Sequence, residues 1–386
     1  MKIVQVISHY VPATRFGGPQ HVAHGLGRAL TRLGHDVTVC TTNLADERRD
    51  LDVPSGVERM VDGVRVFYDA TGWSRYWGYA PEMRSRLYRE LADTDLVLVH
   101  FHFQYANFVG ARVARQLGRR YFLFPHGSLR RDALRRKGRL RKSWYLRWFE
   151  HANLTQAERV LFNADEELRS SLPLANAGVL PNGLEPGDYE PLPPPGEFRA
   201  RHSQVGHNVL AVFLGRLDYL GKGLDLLLPA LWHSRQQGRP VHLVLAGPDE
   251  RGGEAATRRQ VAQLGLSRDV TFLGLVTGRE KLALLRDADF LVLPSRSEGL
   301  SITVLEALYL GIPLLVTNQV GLHETIVKRN AGLAVEPTAP GVREGFLRLL
   351  DEPVREGMRA AGTAWVVQHH TWTAIAQQLL EMTHRP

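Results

Sequence analysis

Short apolar runs alternate with amphipathic ones along the first 180 or so residues. KIVQVIS, residues 2–8, reads as a strand, and DVTVCTT, VRVFY, DLVLVHF, YFLFP and RVLFN repeat the pattern. Between the first two strands, residues 17–33 place His21, Val22, Leu26, Ala29, Leu30 and Leu33 near helical spacing, and Gly34 is suited to end that helix. Helical patterns lie between most of the other runs. Strands alternating with helices predict parallel βαβ units in a doubly wound sheet. The texture then breaks at LEPGDYEPLPPPGEF, residues 184–198, whose five prolines and two glycines fit neither an ordinary helix nor a central strand. It reads as a linker. The alternation restarts with VLAVFLG, HLVLAG, VTFLG, DFLVLP, PLLVT and GLAVEP, and TWTAIAQQLLEMTHRP, residues 371–386, reads as a closing helix. LADTDLVLVH and LRDADFLVLP echo each other, each ending a helix and entering a core strand. The fold class expected is α/β, with two Rossmann-like doubly wound domains at 1–183 and 199–370.

A chain of 386 residues is too long for one ordinary core and suits two domains. With 44% hydrophobic and 23% charged residues it has ordinary globular composition, and no repeat of solenoid period appears. The single cysteine, Cys40, can form neither an internal disulfide nor a cysteine-based zinc site. It reads as a buried strand thiol in a reducing cytosol. The start, MKIVQVISHYVP, reads as a strand rather than a signal peptide, and no stretch approaches the roughly 20 apolar residues of a membrane span. A net charge of +8 suggests an anionic partner without naming it.

Doubly wound sheets bind ligands beyond the carboxyl ends of their strands, so two such domains make the cleft between them the expected site. Candidate chemistry falls at strand ends. After DFLVLP comes SRSEGLSITVLEALYLGIP, residues 295–313, with a helix expected over 301–310 and stopped by Gly311 and Pro313. That helix is apolar nearly all round yet carries Glu306. A buried carboxylate costs several kcal/mol without partners. Either a salt bridge to a core Arg or Lys or the paired hydroxyls of a ribose would satisfy it. Glu298, in the preceding loop, is either solvated or free to reach a second polyhydroxyl group. The helix-start N–H groups of Gly299, Leu300, Ser301 and Thr303 are available to an anion. In VFLGRLDYLGKGLDLLLPAL, residues 212–231, Gly215, Arg216 and Lys222 follow the first strand of the second domain. Two cations bracketed by glycines suit a diphosphate, with two solvated charges as the alternative. Gly17 and Gly18 precede the first helix, where a plain loop is equally compatible. His126, in FPHGSL, and His102, in VHFHFQ, end strands; either is a capped structural residue or a ligand contact. Asn182–Gly183, in LPNGLEP, reads as a turn.

Glu298–x7–Glu306, within SEGLSITVLEALYLGIPLLVT, resembles the EX7E signature of retaining GT-B glycosyltransferases, family 4. The resemblance covers nearly the whole chain. It implies two domains facing a central cleft, with the final helix packing back on the first domain. It implies that Glu306 binds the nucleotide ribose, Glu298 and His126 lie by the donor sugar, and Arg216 and Lys222 grip the diphosphate. The loop at Gly17 and Gly18 would close over that diphosphate, Asn182–Gly183 would mark the passage into the linker, and His102 is an acceptor candidate. The function implied is transfer of a sugar, with retention, from a UDP- or GDP-linked donor to a hydroxyl, in bacterial exopolysaccharide, lipopolysaccharide or glycolipid synthesis. No metal or other cofactor is required, because two cations already serve the diphosphate. A sugar-nucleotide epimerase of the same architecture and a catalytically dead polyanion-binding protein are the rival readings. Where many relatives have a bulky aromatic and a second glycine after the first glutamate, this chain has Gly299, Leu300 and Ser301.

Asp93-Thr94-Asp95 and Asp287-Ala288-Asp289 match the D-x-D text of metal-dependent glycosyltransferases, but both precede a core strand and read as turn aspartates. The remaining feature is SLRRDALRRKGRLRKSWYLRW, residues 128–148, with nine Lys or Arg and one acid. A solvated helical face would explain it. Nucleic acid is poorly supported, since no recognition motif accompanies the run. Arg130, Arg131, Arg135, Arg136, Lys137, Arg139, Arg141 and Lys142, with Trp144 and Trp148, fit an anionic membrane surface better, and Trp73 and Trp77 add to it. Peripheral docking on the inner leaflet, presenting a lipid-linked or saccharide acceptor, is the expectation.

Overall fold

The computed structural model describes residues 1–13, 18–46, 48–131, 134 and 139–384. Gly17, Arg135, Arg136 and Lys137, singled out above, lie outside the described residues, as does the side chain of Arg139. The chain divides into two compact units, Met1–Gly183 with Trp372–Pro386, and Leu184–Thr371.

The first unit is built on β1 (Lys2–Val6), β2 (Asp36–Thr42), β3 (Glu58–Val61), β4 (Val64–Asp69), β5 (Leu96–His100), β6 (Tyr121–Phe124), β7 (Arg159–Phe162) and β8 (Ala177–Val179). They form one sheet in the order β3-β4-β2-β1-β5-β6-β7-β8. Only β3 runs antiparallel to its neighbour. Ile3 pairs in register with Val37 on one side and Leu96 on the other, so β1 is covered by strands at both edges and by helices on both faces. That is why its run is almost continuously apolar. The two strands without an apolar run escape a reading by pattern: β3 is mostly exposed, and β8 has three residues.

The first helix, Gly18–Arg32, buries Val22, Ala23, Leu26, Ala29 and Leu30. The last helix, Trp372–His384, returns to this unit and packs Trp372, Ile375, Ala376 and Leu379 into the same core. The two helices approach closely at Gly25, where an added Cβ would lie 2.2 Å from the Trp372 ring. A buried aromatic or branched side chain contributes about 1.5–3 kcal/mol through its apolar area, which is what holds this terminal segment.

The second unit is a six-stranded parallel sheet of β9 (Val209–Leu214), β10 (Val241–Ala246), β11 (Val270–Gly274), β12 (Phe290–Leu293), β13 (Leu314–Thr317) and β14 (Gly332–Val335), in the order β11-β10-β9-β12-β13-β14. The proline-rich stretch expected as a linker is folded onto this unit. It forms a short 3-10 turn, Pro186–Tyr189, and a helix, Glu197–Arg201. The Asp287 carboxylate accepts from the N–H groups of Gly196, Phe198 and Arg199 at 2.6, 2.9 and 3.1 Å, and Tyr189 is buried. Prolines restrict the backbone but say nothing about side-chain anchors, so composition alone understates the order here.

Candidate active site

In the second sheet the strand order reverses between β9 and β12, so the loops leaving their carboxyl ends lie side by side. Their sequences force them together. Gly223 has φ +70°, and a Cβ there would sit 2.0 Å from the Pro294 carbonyl oxygen, so the loop after β9 rests directly on the exit of β12. Arg296 closes the contact. Its N–H donates to Gly221 O at 3.0 Å, and its guanidinium forks onto both oxygens of Asp225 at 2.7 Å while also donating to Leu220 O. The planar fork matches a carboxylate, which a lysine could not do. The result is an ion pair between Lys222 and Glu298. Arg216 sits at the end of β9, where Gly215 N–H donates to Ala246 O at 2.9 Å. Its side chain is 59% exposed and pairs with Glu250 at 3.2 Å.

The helix Ile302–Tyr309 begins at Ser301, which supplies no side-chain cap. Ser301 O accepts the bonds from Val304 and Leu305. The approach is shaped by Gly299, whose carbonyl, with that of Glu298, accepts from Gly321 N–H at 3.2 Å, and by the buried Leu300. Thr303 lies half-buried in the first turn. Glu306, one turn in, is 3% exposed. Its Oε1 accepts from Tyr189 Oη at 2.7 Å and Lys281 Nζ at 2.5 Å, while Oε2 is buried with no partner. Both readings of this glutamate therefore have a footing: one oxygen is held by a salt bridge, and the other is open to a donor. Burial and the neighbouring carboxylate push the Tyr189 hydroxyl far above its ordinary pKa, so it remains a donor.

In the first unit the reversal falls between β1 and β5. His126 follows β6 with φ +49°, a left-handed conformation that is strained for histidine. It is held by Glu167, a wholly buried carboxylate that accepts from Gly127 N–H at 2.5 Å and Asn163 N–H at 3.0 Å, tying the loops after β6 and β7 together. His126 Nε2 lies 3.2 Å from His100 Nδ1, and burial pushes its pKa down to about 3. His102 is wholly buried and presents no edge to solvent: Nδ1 meets Ser128 Oγ at 2.6 Å and Nε2 has no partner. Burial lowers its pKa to about 3. The space where a Cβ on Gly18 would point is open.

The two D-x-D segments carry turn contacts. Asp95 accepts from Lys2 N–H at 2.7 Å, and Asp93 pairs with the Lys2 ammonium. Asp289 accepts from Leu210 N–H at 2.8 Å and Arg199 at 2.9 Å. Among the described residues, no three His, Cys, Asp or Glu side chains gather as metal ligands. In the basic run, Arg131 and Arg141 are exposed, and Arg130 and Lys142 are half-buried. Trp148 is 68% exposed and Trp144 is exposed, as are Leu140, Trp73 and Tyr76. Trp77, grouped with Trp73 from sequence, is instead a packing residue. It lies 5.2 Å from the Tyr105 ring and donates to Tyr145 Oη at 3.2 Å, because one face of the aromatic cluster needs covering. Among the described residues no helix is long and apolar enough to cross a membrane.

Sequence reasoning misses Lys281, Tyr189, Arg296 and Glu167. None carries a spacing signal, although a glutamate near the start of the helix that follows a core strand occurs at both Glu167 and Glu306 and could have flagged the first. It also misses Gln5, whose signal is plain: a glutamine in the centre of an apolar strand.

Two doubly wound units, one with a cation–carboxylate pair at its switch point, define the class of α/β protein to which the chain belongs. Residues 196–365 match the family model described as glycosyl transferases group 1, and residues 17–183 match that of the glycosyl transferase 4-like domain. The chain belongs to the group 1 glycosyl transferases. It is 27% identical over 407 residues to a glycogen synthase of Mycobacterium tuberculosis, covering 97% of this chain and 92% of the relative. It is 32% identical over 220 residues to a GDP-mannose-dependent alpha-(1-6)-phosphatidylinositol monomannoside mannosyltransferase of the same species, covering 54% of this chain and 56% of the relative. Its fold is that of the GT-B enzymes. Sucrose-phosphate synthase from Thermosynechococcus elongatus superposes with a TM-score of 0.74 at 22% identity, over 99% of this chain and 98% of the other. HepE of Anabaena, solved with UDP and glucose, gives 0.76 at 17% identity, over 100% of both chains.

Proposed function

We propose that the protein moves a sugar, with retention of anomeric configuration, from a UDP- or GDP-linked donor to a hydroxyl of a saccharide or lipid-linked acceptor. The observation that supports this most is the stitching of the β9 and β12 exit loops, which sets Lys222 against Glu298 beside an uncapped helix start. In this reading Gly215, Arg216 and Lys222 receive the diphosphate, and the amides of Gly299, Leu300, Ser301 and Thr303 supplement them. Glu306 Oε2 accepts from ribose hydroxyls. Glu298 and His126 serve the donor sugar, and Gly18 leaves room for the diphosphate. A cation–phosphate pair at ~4 Å gives roughly 4 kcal/mol of gross attraction at an effective dielectric of about 20. That attraction strengthens as the anomeric C–O bond breaks and its electron pair leaves with the diphosphate, so it favours the transition state. The acceptor oxygen bonds to the anomeric carbon on the same face, and its proton passes to the departing phosphate oxygen. The two cations do the charge neutralisation for which other transferases use a metal, so a chelator should leave the rate unchanged.

The place proposed is in the synthesis of exopolysaccharide, lipopolysaccharide or glycolipid; one relative's name, a phosphatidylinositol monomannoside mannosyltransferase, supports the last, and a structural neighbour is a glycosyltransferase of lipopolysaccharide biosynthesis. The exposed Trp144 and Trp148, in the same stretch of chain as the exposed Arg131 and Arg141, favour peripheral docking on an anionic leaflet, at about 1 kcal/mol per cation near the surface. A donor screen with UDP-, GDP- and ADP-sugars against glycolipid and saccharide acceptors tests the activity. Transfer with a retained anomer supports the reading. Isomerisation of donor with no acceptor present would assign an epimerase, and binding without turnover would assign a dead enzyme fold. Failure to co-sediment with anionic vesicles at low salt would remove the membrane surface.

A further inference from the structure

Gln5 lies in the middle of β1 and is wholly buried. Its amide Nε2 is 3.0 Å from the Ala23 carbonyl oxygen. A carbonyl can only accept, so the amide nitrogen must face it, and Oε1 must face the other way. Oε1 is 2.8 Å from His100 Nε2 and has no proton to give, so His100 carries its proton on Nε2. His100 is itself wholly buried, and burial holds its pKa well below the ordinary value. A neutral imidazole has one proton, so His100 Nδ1 is a bare acceptor. That nitrogen faces His126 Nε2 at 3.2 Å, and two bare nitrogens would repel; His126 therefore carries its proton on Nε2. The rings of His100 and His126 stack at 5.5 Å with 13° between planes, and His100 stacks on Phe124 at 4.8 Å, so neither turns freely.

We propose that Gln5 and His100 are positioning residues that lock His126 in the Nε2–H tautomer, so that its Nδ1 presents a lone pair to a donor-sugar hydroxyl. The sugar half of this proposal rests on the transferase reading above. The consequence is a polarity rule: the subsite accepts a hydrogen bond, and so favours a sugar bearing a hydroxyl over its deoxy or O-methylated counterpart. Each link in the chain is determined by the one before it, and the only fixed point is a main-chain carbonyl of the first helix. No hydrogen-bond partner for His126 Nδ1 occurs among the described residues.

The test uses the full chain with 15N-labelled histidine, and reads both ring nitrogens of His126 by long-range proton–nitrogen correlation at neutral pH, without ligand. The expected spectrum has a protonated Nε2 and a bare Nδ1. His100→Phe keeps the stack on Phe124 but removes the acceptor, and the two nitrogen resonances should move toward each other as the tautomers exchange. His100→Gln restores a donor toward Gln5 and an acceptor toward His126, and should restore the spectrum. In parallel, calorimetry compares UDP and GDP with their hexose conjugates. His100→Phe should leave the affinity for the nucleotide unchanged and lower that for the nucleotide sugar about three- to tenfold, the worth of one net hydrogen bond. His100→Gln should recover it. A His126 protonated on Nδ1, or on both nitrogens, overturns the proposal. So does His100→Gln behaving like His100→Phe, or His100→Phe binding the nucleotide sugar normally. If the unaltered protein binds neither nucleotide nor nucleotide sugar, the sugar half falls with the transferase reading, while the spectrum still decides the tautomer.

Discussion

Glu306→Gln separates the two things Glu306 can do. The substitution keeps shape and removes charge. Oε1 now holds Tyr189 and Lys281 at 2.7 and 2.5 Å, and Lys281 would be left facing a neutral amide. Breaking a buried pair costs about 3–5 kcal/mol and an exposed one about 0–1. The Lys281 side chain is 26% exposed against 5% for Glu306, so water recovers part of the loss and about 2 kcal/mol is expected. For a unit of this size that lowers Tm by about 4–8 °C. The ligand term is independent. A ribose diol can give two hydrogen bonds to the carboxylate, and bonds to a charged acceptor are worth about 1.5–3 kcal/mol each. Glutamine keeps its oxygen on Tyr189 and Lys281 and turns an N–H₂ toward the ribose hydroxyls. About 2 kcal/mol of nucleotide affinity should go, roughly 30-fold. Calorimetry with whichever of UDP, GDP and ADP binds tightest, and with its 2′-deoxy counterpart, reads this out. The unaltered protein should prefer the ribonucleotide about 30-fold, and the variant should nearly lose that preference. A variant that melts lower but binds the ribonucleotide as before would refute the reasoning and leave Glu306 as the Lys281 salt bridge alone.

Gly223→Ala should abolish donor binding at a cost of about 3 kcal/mol or more in stability, because left-handed backbone costs an alanine roughly 1–2 kcal/mol and its Cβ meets Pro294 O at 2.0 Å; thermal melting and nucleotide titration check both. Gly25→Ala drives a methyl into the Trp372 ring at 2.2 Å and should cost about 1–3 kcal/mol, seen as a lower Tm and a shifted tryptophan emission, with nucleotide affinity unchanged. Acid should destabilise the first unit through its buried histidines. His9 is pushed down to about 4, His102 and His126 to about 3, and His100 well below its ordinary value, all by burial. Between pH 6.5 and about 4 the unfolded chain binds protons that the folded one does not, so stability falls as pH falls, at about 1.4 kcal/mol per pH unit for each group. Asp69, Glu150 and Glu167, raised by burial, act in the opposite sense but are fewer. A Tm that is flat from pH 6.5 to 4.5 would refute this.

Much of the architecture is legible in the order of residues because a strand buried on both faces has to be apolar throughout. β1, β2, β5, β9, β10 and β12 declare themselves that way, while β3 and β8 do not, since their residues are exposed or too few to make a pattern. The Gly34 stop is visible for a related reason: its φ of +86° is one that side chains resist. Side-chain partners are a different matter. Arg296 reads as an ordinary loop cation until the β9 and β12 exits come together and Asp225 lies under its fork. Trp77 looks like Trp73 in text, and only the aromatic cluster beneath it makes one a packing residue and leaves the other 85% exposed.

The chain by itself determined that strands and helices alternate twice, where apolar pressure forces glycine and proline punctuation, and which loops carry cations and carboxylates, because each of these depends on neighbours a few residues away. The tertiary structure alone decided that Glu306 has one satisfied oxygen and one open one, that Lys222 meets Glu298, and that a glutamine in the first strand reaches a histidine 121 residues on. Those relations join residues far apart in sequence, and a hydrogen bond is set by ångströms and by which atom holds the proton, neither of which the pattern of a linear chain encodes.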